Sequence, residues 1–339
     1  MPPLFDREIE LILWLRSAIP GLVGLFEAFT FLGNEMFFLL LLPFVYWCVD
    51  RRTGARLTVL FLLSAFFNEA AKLMFDWPRP IDVAADRLAP IFPQGIETAR
   101  EAYHATSTGF PSGHTQHSVT VWGYLASRLF PKERPALEVA GLLRPVLLAG
   151  AALLIVMVPL SRVYLGVHYP HDLAGGYLFG AVLLALFLWL QPQVESRLAT
   201  WTLTQQVALA AGIPLALLLV ARNEGAVTAG ATLLGMGVGF ALERRWVGFE
   251  VAPGQAERGG RRVALRYAVG IAVMFALYAG LKPLFGAFNP ATETAVLALR
   301  FVRYTLMGLW GSLGGPWLFV KAGLAGRREE AVERLAVAG

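Results

Sequence analysis

The chain has little charge. Asp, Glu, Lys and Arg make up 16% of its 339 residues, apolar residues 56%, and the mean hydropathy is +0.57. An ordinary soluble domain carries about a quarter charged residues, so that class is excluded. Cysteine is scarcer still: with Cys48 alone, no disulfide can close within the chain and no dithiol redox centre can form. Cys48 reads as a small apolar residue of its segment. A basic leader is missing too, because Asp6, Arg7, Glu8 and Glu10 stand where a signal peptide would carry Lys or Arg; the N-terminus is expected to be retained. Internal repeats, heptads and low-complexity tracts are absent, and Gly254 to Gly260 reads as a flexible segment. No His, Asp or Glu grouping has metal-ligand spacing, so neither a metal nor another cofactor is expected.

Long apolar runs are what the sequence has instead. They fall at about 32–49, 56–75, 115–130, 142–160, 172–191, 204–221, 226–242, 263–281 and 296–320, most of them near the roughly 20 residues that cross a hydrocarbon core. The expected fold is an all-α polytopic membrane helix bundle of about nine transmembrane helices. The 115–130 run is short and begins with polar residues, which is tolerable where that end faces a watery cavity inside the protein. Residues 1–20 form a separate segment, in which Leu4, Phe5, Ile9, Ile12, Leu13 and Trp14 lie among charges. That pattern suits a helix in the membrane interface, and equally a helix packed on the bundle.

The formal charge of +5 and pI near 9.5 would suit a nucleic-acid partner if the basic residues formed one patch. They sort by membrane side instead. Arg51, Arg52 and Arg56, then Arg128, Lys132, Arg134 and Arg144, then Arg197, then Arg244, Arg245, Arg258, Arg261, Arg262 and Arg266, and finally Lys321, Arg327, Arg328 and Arg334 occupy alternate loops and the C-terminus. The positive-inside rule puts these in the cytoplasm and the N-terminus outside. No nucleic acid is expected. Membrane lipids are the surroundings, and a homo-oligomer is left open.

Three strings on the expected outer side carry chemistry: Lys72 with Arg79-Pro80; Pro111-Ser112-Gly113-His114; and Ser161-Arg162 followed by His168 and Asp172. Arg79 and Arg162 are non-titrating, bidentate cations suited to phosphate oxygens. Lys72 adds a point charge, although by itself it also reads as a snorkelling lysine at a helix end. Ser112 and Gly113 enter a helix whose free N–H groups suit a phosphate, with His114 in its first turn as an acid. His168 and Asp172 are i and i+4. On a helix the carboxylate would take the Nδ1 proton and leave Nε2 as a nucleophile, while Asp172 could also simply cap that helix. Asn68, one turn before Lys72, is expected to support it by a hydrogen bond. Asn34 is a candidate cavity residue, Glu35 an interfacial one. His117 reads as packing, His171 as facing away from the site, and His104 carries no signal. The kit is one for phosphoryl transfer without a metal.

The set K-x6-RP, PSGH and SR-x5-H-x3-D resembles the signature of the type 2 phosphatidic-acid phosphatase family over about residues 30–190, without a departure. The resemblance implies a metal-independent phosphatase with His168 as phosphohistidine nucleophile, Asp172 orienting it, and His114 protonating the leaving alcohol. Lys72, Arg79, Ser112, Gly113 and Arg162 would bind the phosphate. It also implies a six-helix core, so the later helices are additional, in a manner reminiscent of glucose-6-phosphatase. The expected organisation is an interfacial helix at 1–20, a phosphatase core at 21–192, additional transmembrane helices at 193–322 and a charged cytoplasmic tail at 323–339. The expected substrate is a lipid phosphate monoester or isoprenoid diphosphate, acted on at an extracytoplasmic site in the cell (inner) membrane. A sugar phosphate is the alternative, and an anion transporter or channel a remoter one. Vanadium haloperoxidases share the phosphate site by family resemblance, but nine spans count against a typically soluble enzyme. The long 76–110 loop, with Ile81, Val83, Leu88, Ile91, Phe92 and Tyr103, is expected to act as a lid over a lipid chain.

Overall fold

The computed structural model describes residues 3–129, 143–251, 260–287 and 292–327. The expectations for Lys132, Arg134, residues 252–259 with Gly254 and Arg258, Arg328, Arg334 and the tail beyond 327 lie outside the described residues. The fold is all-α, a polytopic membrane helix bundle in which 84% of the described residues are helical. Among the described residues one short antiparallel ladder interrupts it, pairing Phe249 with Arg327 and Glu250 with Gly326.

Each apolar run forms helix, but not all are spans by length and composition. Six helical stretches among the described residues are long and apolar enough to cross a membrane: Arg51–Val83, Leu143–Tyr164, Pro170–Thr200, Leu203–Val220, Glu224–Trp246 and Gly260–Gly286. A seventh is reached if Phe5–Ala18 and Pro20–Phe31, bent by 88°, count as one span. The expected nine is therefore not reached on these criteria. The first run is the short Glu35–Val49 helix, closed by a π-turn at Val45–Val49. The third, Gly113–Arg128, has 16 residues, with Thr115, Gln116, Ser118 and Thr120 buried on it. The last runs from Glu293–Leu309 through a π-turn at Trp310–Gly314 into Gly315–Lys321.

The chain divides into two compact units. One comprises Met1–Phe38 and Phe67–Leu190, the other Leu39–Phe66 and Gln191–Gly339. The core of the first gathers Ile9, Ile12, Phe26, Ile81, Leu88, Phe92, Tyr103, Val163, Tyr164 and Val167. The core of the second gathers Tyr46, Trp47, Phe249, Met274, Met307 and Phe319, with Cys48 packed against it.

Two elements of the first unit bear on the site. The Pro3–Ala18 helix buries Ile9 and Ile12 completely while Leu11 stays 44% and Trp14 62% exposed. It is docked by one face and apolar on another. The 76–110 segment is not a structureless lid. It forms short helices at Pro80–Val83, Ala85–Leu88 and Ile96–Ala102, and its Ile81, Leu88, Phe92 and Tyr103 lie in the core, with Ile91 packed on it. Burial against neighbouring helices, worth about 1.5–3 kcal/mol for a large apolar side chain, uses the residues expected to cover a lipid; Val83 alone of that set is exposed.

Candidate active site

Lys72 stands in the last turn of the Arg51–Phe75 helix, which stops where Asp76 takes a left-handed conformation, φ 48°. Pro80, with φ fixed and no N–H to lose, opens the next short helix, and the Arg79 N–H donates to Asp82 Oδ2 at 2.9 Å. The Arg79 side chain is thereby committed inward and is buried. Its Nε donates to the Ser107 carbonyl at 2.5 Å and its Nη1 to the Val167 carbonyl at 3.0 Å. Lys72 Nζ reaches Ser107 Oγ at 2.9 Å and Glu69 Oε1 at 3.4 Å.

Ser112 is the N-cap of the Gly113–Arg128 helix, its hydroxyl oxygen accepting from the Thr115 N–H and hydroxyl. The Ser112 hydroxyl proton is left to donate elsewhere. This helix start lies very close to the Pro170–Thr200 helix: a Cβ on Gly176 would sit 2.7 Å from the Ser112 carbonyl oxygen and 2.6 Å from Thr115 Cβ. Only glycine permits that approach. The Ser112 N–H donates to the Asp172 carbonyl at 3.0 Å, so the cap and the carboxylate residue share a backbone bond. His114, one residue into the helix, has Nε2 2.9 Å from Asn34 Oδ1.

Arg162, near the end of the Leu143–Tyr164 helix, is fully buried. It donates to Thr30 Oγ1 at 2.6 Å and to the Tyr103 carbonyl at 2.7 Å. The short connection to the next helix carries His168. Its Nδ1 lies 3.0 Å from Asp172 Oδ2 and its Nε2 2.8 Å from Arg79 Nη1. Guanidinium only donates, so Nε2 carries the lone pair and Nδ1 the proton that Asp172 accepts. Burial, and then Arg79, Arg162 and Lys72, push the His168 imidazole well below its ordinary range. It is neutral at physiological pH, the form a nucleophile needs.

The structure thus brings His168, Asp172, Arg79, Lys72, Ser112, Gly113, His114 and Arg162 into one unit. Asn68 is placed differently from the expectation. Its amide donates to the Pro111 carbonyl at 3.2 Å and to Gln116 Oε1 at 3.0 Å. It steadies the Pro111–His114 turn, because its position on the helix points it across to that segment, while Lys72 is held by Glu69 and Ser107. His171 does not face away: its Nε2 lies 3.4 Å from Asp172 Oδ1 and its Nδ1 2.6 Å from Glu8 Oε2. His117 sets its ring edge-on to Phe38, His104 is exposed at φ 51°, and Glu35 is exposed. Sequence reasoning missed Ser107, Thr30 and Glu8 as partners of the site; none belongs to a spaced motif.

Two family profiles match the chain: "PAP2 superfamily" over residues 53–196 and "PAP2 superfamily phosphatase, transmembrane extension" over residues 227–327. Among curated relatives, sphingosine-1-phosphate phosphatase 2 of Mus musculus is 30% identical over 163 residues, 48% of this chain and 40% of that protein. Lipid phosphate phosphatase delta of Arabidopsis thaliana is 25% identical over 191 residues, 55% and 43% of the two chains. Phosphatidylglycerophosphatase B of Bacillus subtilis is 34% identical over 106 residues, 30% and 50%. The matches span half or less of each relative's own length. No solved structure matches the chain.

Proposed function

The chain belongs to the PAP2 superfamily, and from that premise we propose that it is an integral-membrane phosphatase acting on a lipid phosphate through a phosphohistidine. The observation that carries the reading is the tautomer of His168, fixed by Asp172 on one nitrogen and by Arg79 on the other. In the first step the Nε2 lone pair attacks phosphorus and the bond from phosphorus to the leaving oxygen breaks. His114 protonates that oxygen and releases the alcohol. In the second, His114 takes a proton from water as it attacks phosphorus, the P–N bond breaks, and orthophosphate leaves. Arg79, Arg162, Lys72, Ser112 and the N–H groups at Gly113 hold the phosphoryl oxygens and stabilise the charge that builds on them.

The substrate class is a lipid phosphate monoester, with an isoprenoid diphosphate as the other member of the panel. Support comes from the relatives, whose names specify sphingoid and glycerolipid phosphates, and from the apolar helices that place the site in a membrane protein. Catalysis is assigned to residues 21–192, without a metal, and the later helices to support. In the cell membrane the site is placed outside and the C-terminus in the cytoplasm. Impermeant thiol labelling of intact cells, in a Cys48→Ala background, should modify Thr98→Cys and spare Gly254→Cys; the reverse pattern would invert the topology.

The test of function is phosphate release by purified protein from phosphatidate, lysophosphatidate, sphingoid phosphates, polyprenyl diphosphates and glucose 6-phosphate. A higher kcat/KM for a lipid is expected. A higher value for glucose 6-phosphate would overturn the substrate class, and anion flux without phosphate release would overturn the enzyme. Activity in EDTA should be complete; loss restored by a divalent ion would overturn the metal-free mechanism.

A further inference from the structure

Asp172 does not orient His168 alone. Its Oδ2 is engaged twice, by His168 Nδ1 at 3.0 Å and by the Tyr169 N–H at 2.9 Å. Its Oδ1 is buried without a hydrogen bond and so is His171 Nε2, and these two atoms face each other at 3.4 Å. On the far side of the ring, His171 Nδ1 lies 2.6 Å from Glu8 Oε2, while Glu8 Oε1 accepts from the His171 backbone N–H at 3.0 Å. Glu8 is only 8% exposed, an unusual place for a carboxylate unless it is paired. The His171 ring cannot turn away. Tyr169 stacks on it at 5.1 Å, and Phe5 and Trp77 meet it edge-on at 5.3 and 5.5 Å.

Both ring nitrogens therefore face carboxylates. Glu8 takes Nδ1, and Nε2 is the ring atom turned to the second oxygen of Asp172. Held by Glu8 and by three aromatic side chains, the ring stands against the second oxygen of Asp172, so that the carboxylate cannot rotate about its own axis and lose His168 Nδ1.

We propose that Glu8 and His171 are a positioning pair, through which the N-terminal Pro3–Ala18 helix fixes the Asp172 carboxylate and hence the nucleophilic ring of His168. The inference rests on the phosphohistidine reading above. It extends the site by two residues that touch no substrate and lie 163 positions apart.

The competing role for Glu8 is simple docking, in which its bond to the backbone N–H of residue 171 holds the two helices together. A double-mutant cycle separates them. His171→Phe keeps the aromatic packing and the backbone N–H but removes both nitrogens. It should lower kcat roughly ten- to a hundredfold, with KM within about twofold and an unchanged Tm in detergent. Glu8→Ala should cost a similar factor in the wild-type background and almost nothing further in the His171→Phe background. An equal cost in both backgrounds would mean docking and would overturn the proposal, as would a kcat for His171→Phe within twofold of wild type. Should His171→Phe fail to accumulate, His171→Leu, which likewise lacks both nitrogens, gives the same cycle. If the wild-type protein releases no phosphate from any substrate of the panel, the functional reading falls and this one with it; if it does and the cycle is additive, this one falls alone.

Discussion

In the unit built from 39–66 and 191–339, three arginines meet carboxylates. Arg51 pairs with Glu243 at 2.8 Å, Arg56 with Glu195 at 2.5 Å and Arg300 with Glu224 at 2.5 Å. Arg266 and Arg303 are buried and lie instead against aromatic rings, Arg266 against Phe249 and Arg303 against Tyr278 and Tyr304. In the other unit Arg79 and Arg162 are buried more deeply, yet neither forms a salt bridge among the described residues. Carbonyls, a hydroxyl and an imidazole are their partners. A buried cation without a counter-charge is costly, and two of them acting on one histidine repeat that cost at a single place. The difference teaches where an anion belongs: Arg51, Arg56 and Arg300 are neutralised by carboxylates, whereas Arg79 and Arg162 are left with neutral partners, as the proposed phosphate site requires.

The comparison is broken or sharpened by removing charge from each unit in turn. Arg79→Met should lower kcat/KM by about 10²–10³-fold, the magnitude for losing one preorganised donor to a developing oxyanion. Arg300→Ala, which removes a partly exposed pair, should change it by less than about twofold. Similar losses from both variants, measured on one lipid phosphate, would erase the distinction. Next in size is His114→Ala, expected to cost about 10²-fold or more on an alkyl phosphate and much less on nitrophenyl phosphate, whose leaving oxygen needs no proton. Equal losses on the two esters would contradict its role as the acid.

Ser107→Ala should have a smaller effect, about three- to tenfold. It removes the hydroxyl that Lys72 Nζ reaches but keeps the carbonyl that holds Arg79. Activity against pH gives the gentlest test. His168 loses its proton at lower pH than an ordinary histidine, because burial and the neighbouring cations disfavour its charged form. As pH falls it therefore stays neutral past the usual histidine range, and the acid limb of kcat/KM that it sets should lie below about pH 6.5. A limb well above that value would mean that a negative charge, and not burial beside the guanidinium groups, dominates at the ring.

How far the site was legible follows the same physics. His168 and Asp172 announce themselves by an i, i+4 spacing, Ser112 and Gly113 by a helix start, and Arg79 by flanking prolines, because local geometry constrains each. The partners that hold them are not local. Thr30 reaches Arg162 across 132 positions, Asn34 reaches His114 across 80, and Glu8 reaches His171 across 163. Nothing in a single sequence marks such pairings, although Asn34 stood out as a polar residue at the end of an apolar run. The same limit explains the 76–110 segment. Its apolar residues were visible, but whether they face a lipid or a core depends on which helices come to cover them. The apolar runs themselves were legible as helices, since length and hydropathy suffice for that; their count as spans was not, where polar burial and π-turns shorten them.

The most direct test of the account is to quench the purified protein within milliseconds of mixing with a phosphate-labelled lipid substrate and to ask where the label sits. A phosphoenzyme that is acid-labile, base-stable and mapped to His168 is expected, with none formed by His168→Ala, whose turnover should fall by on the order of 10⁴-fold or more. Unchanged turnover in that variant, or label on another residue, would contradict it.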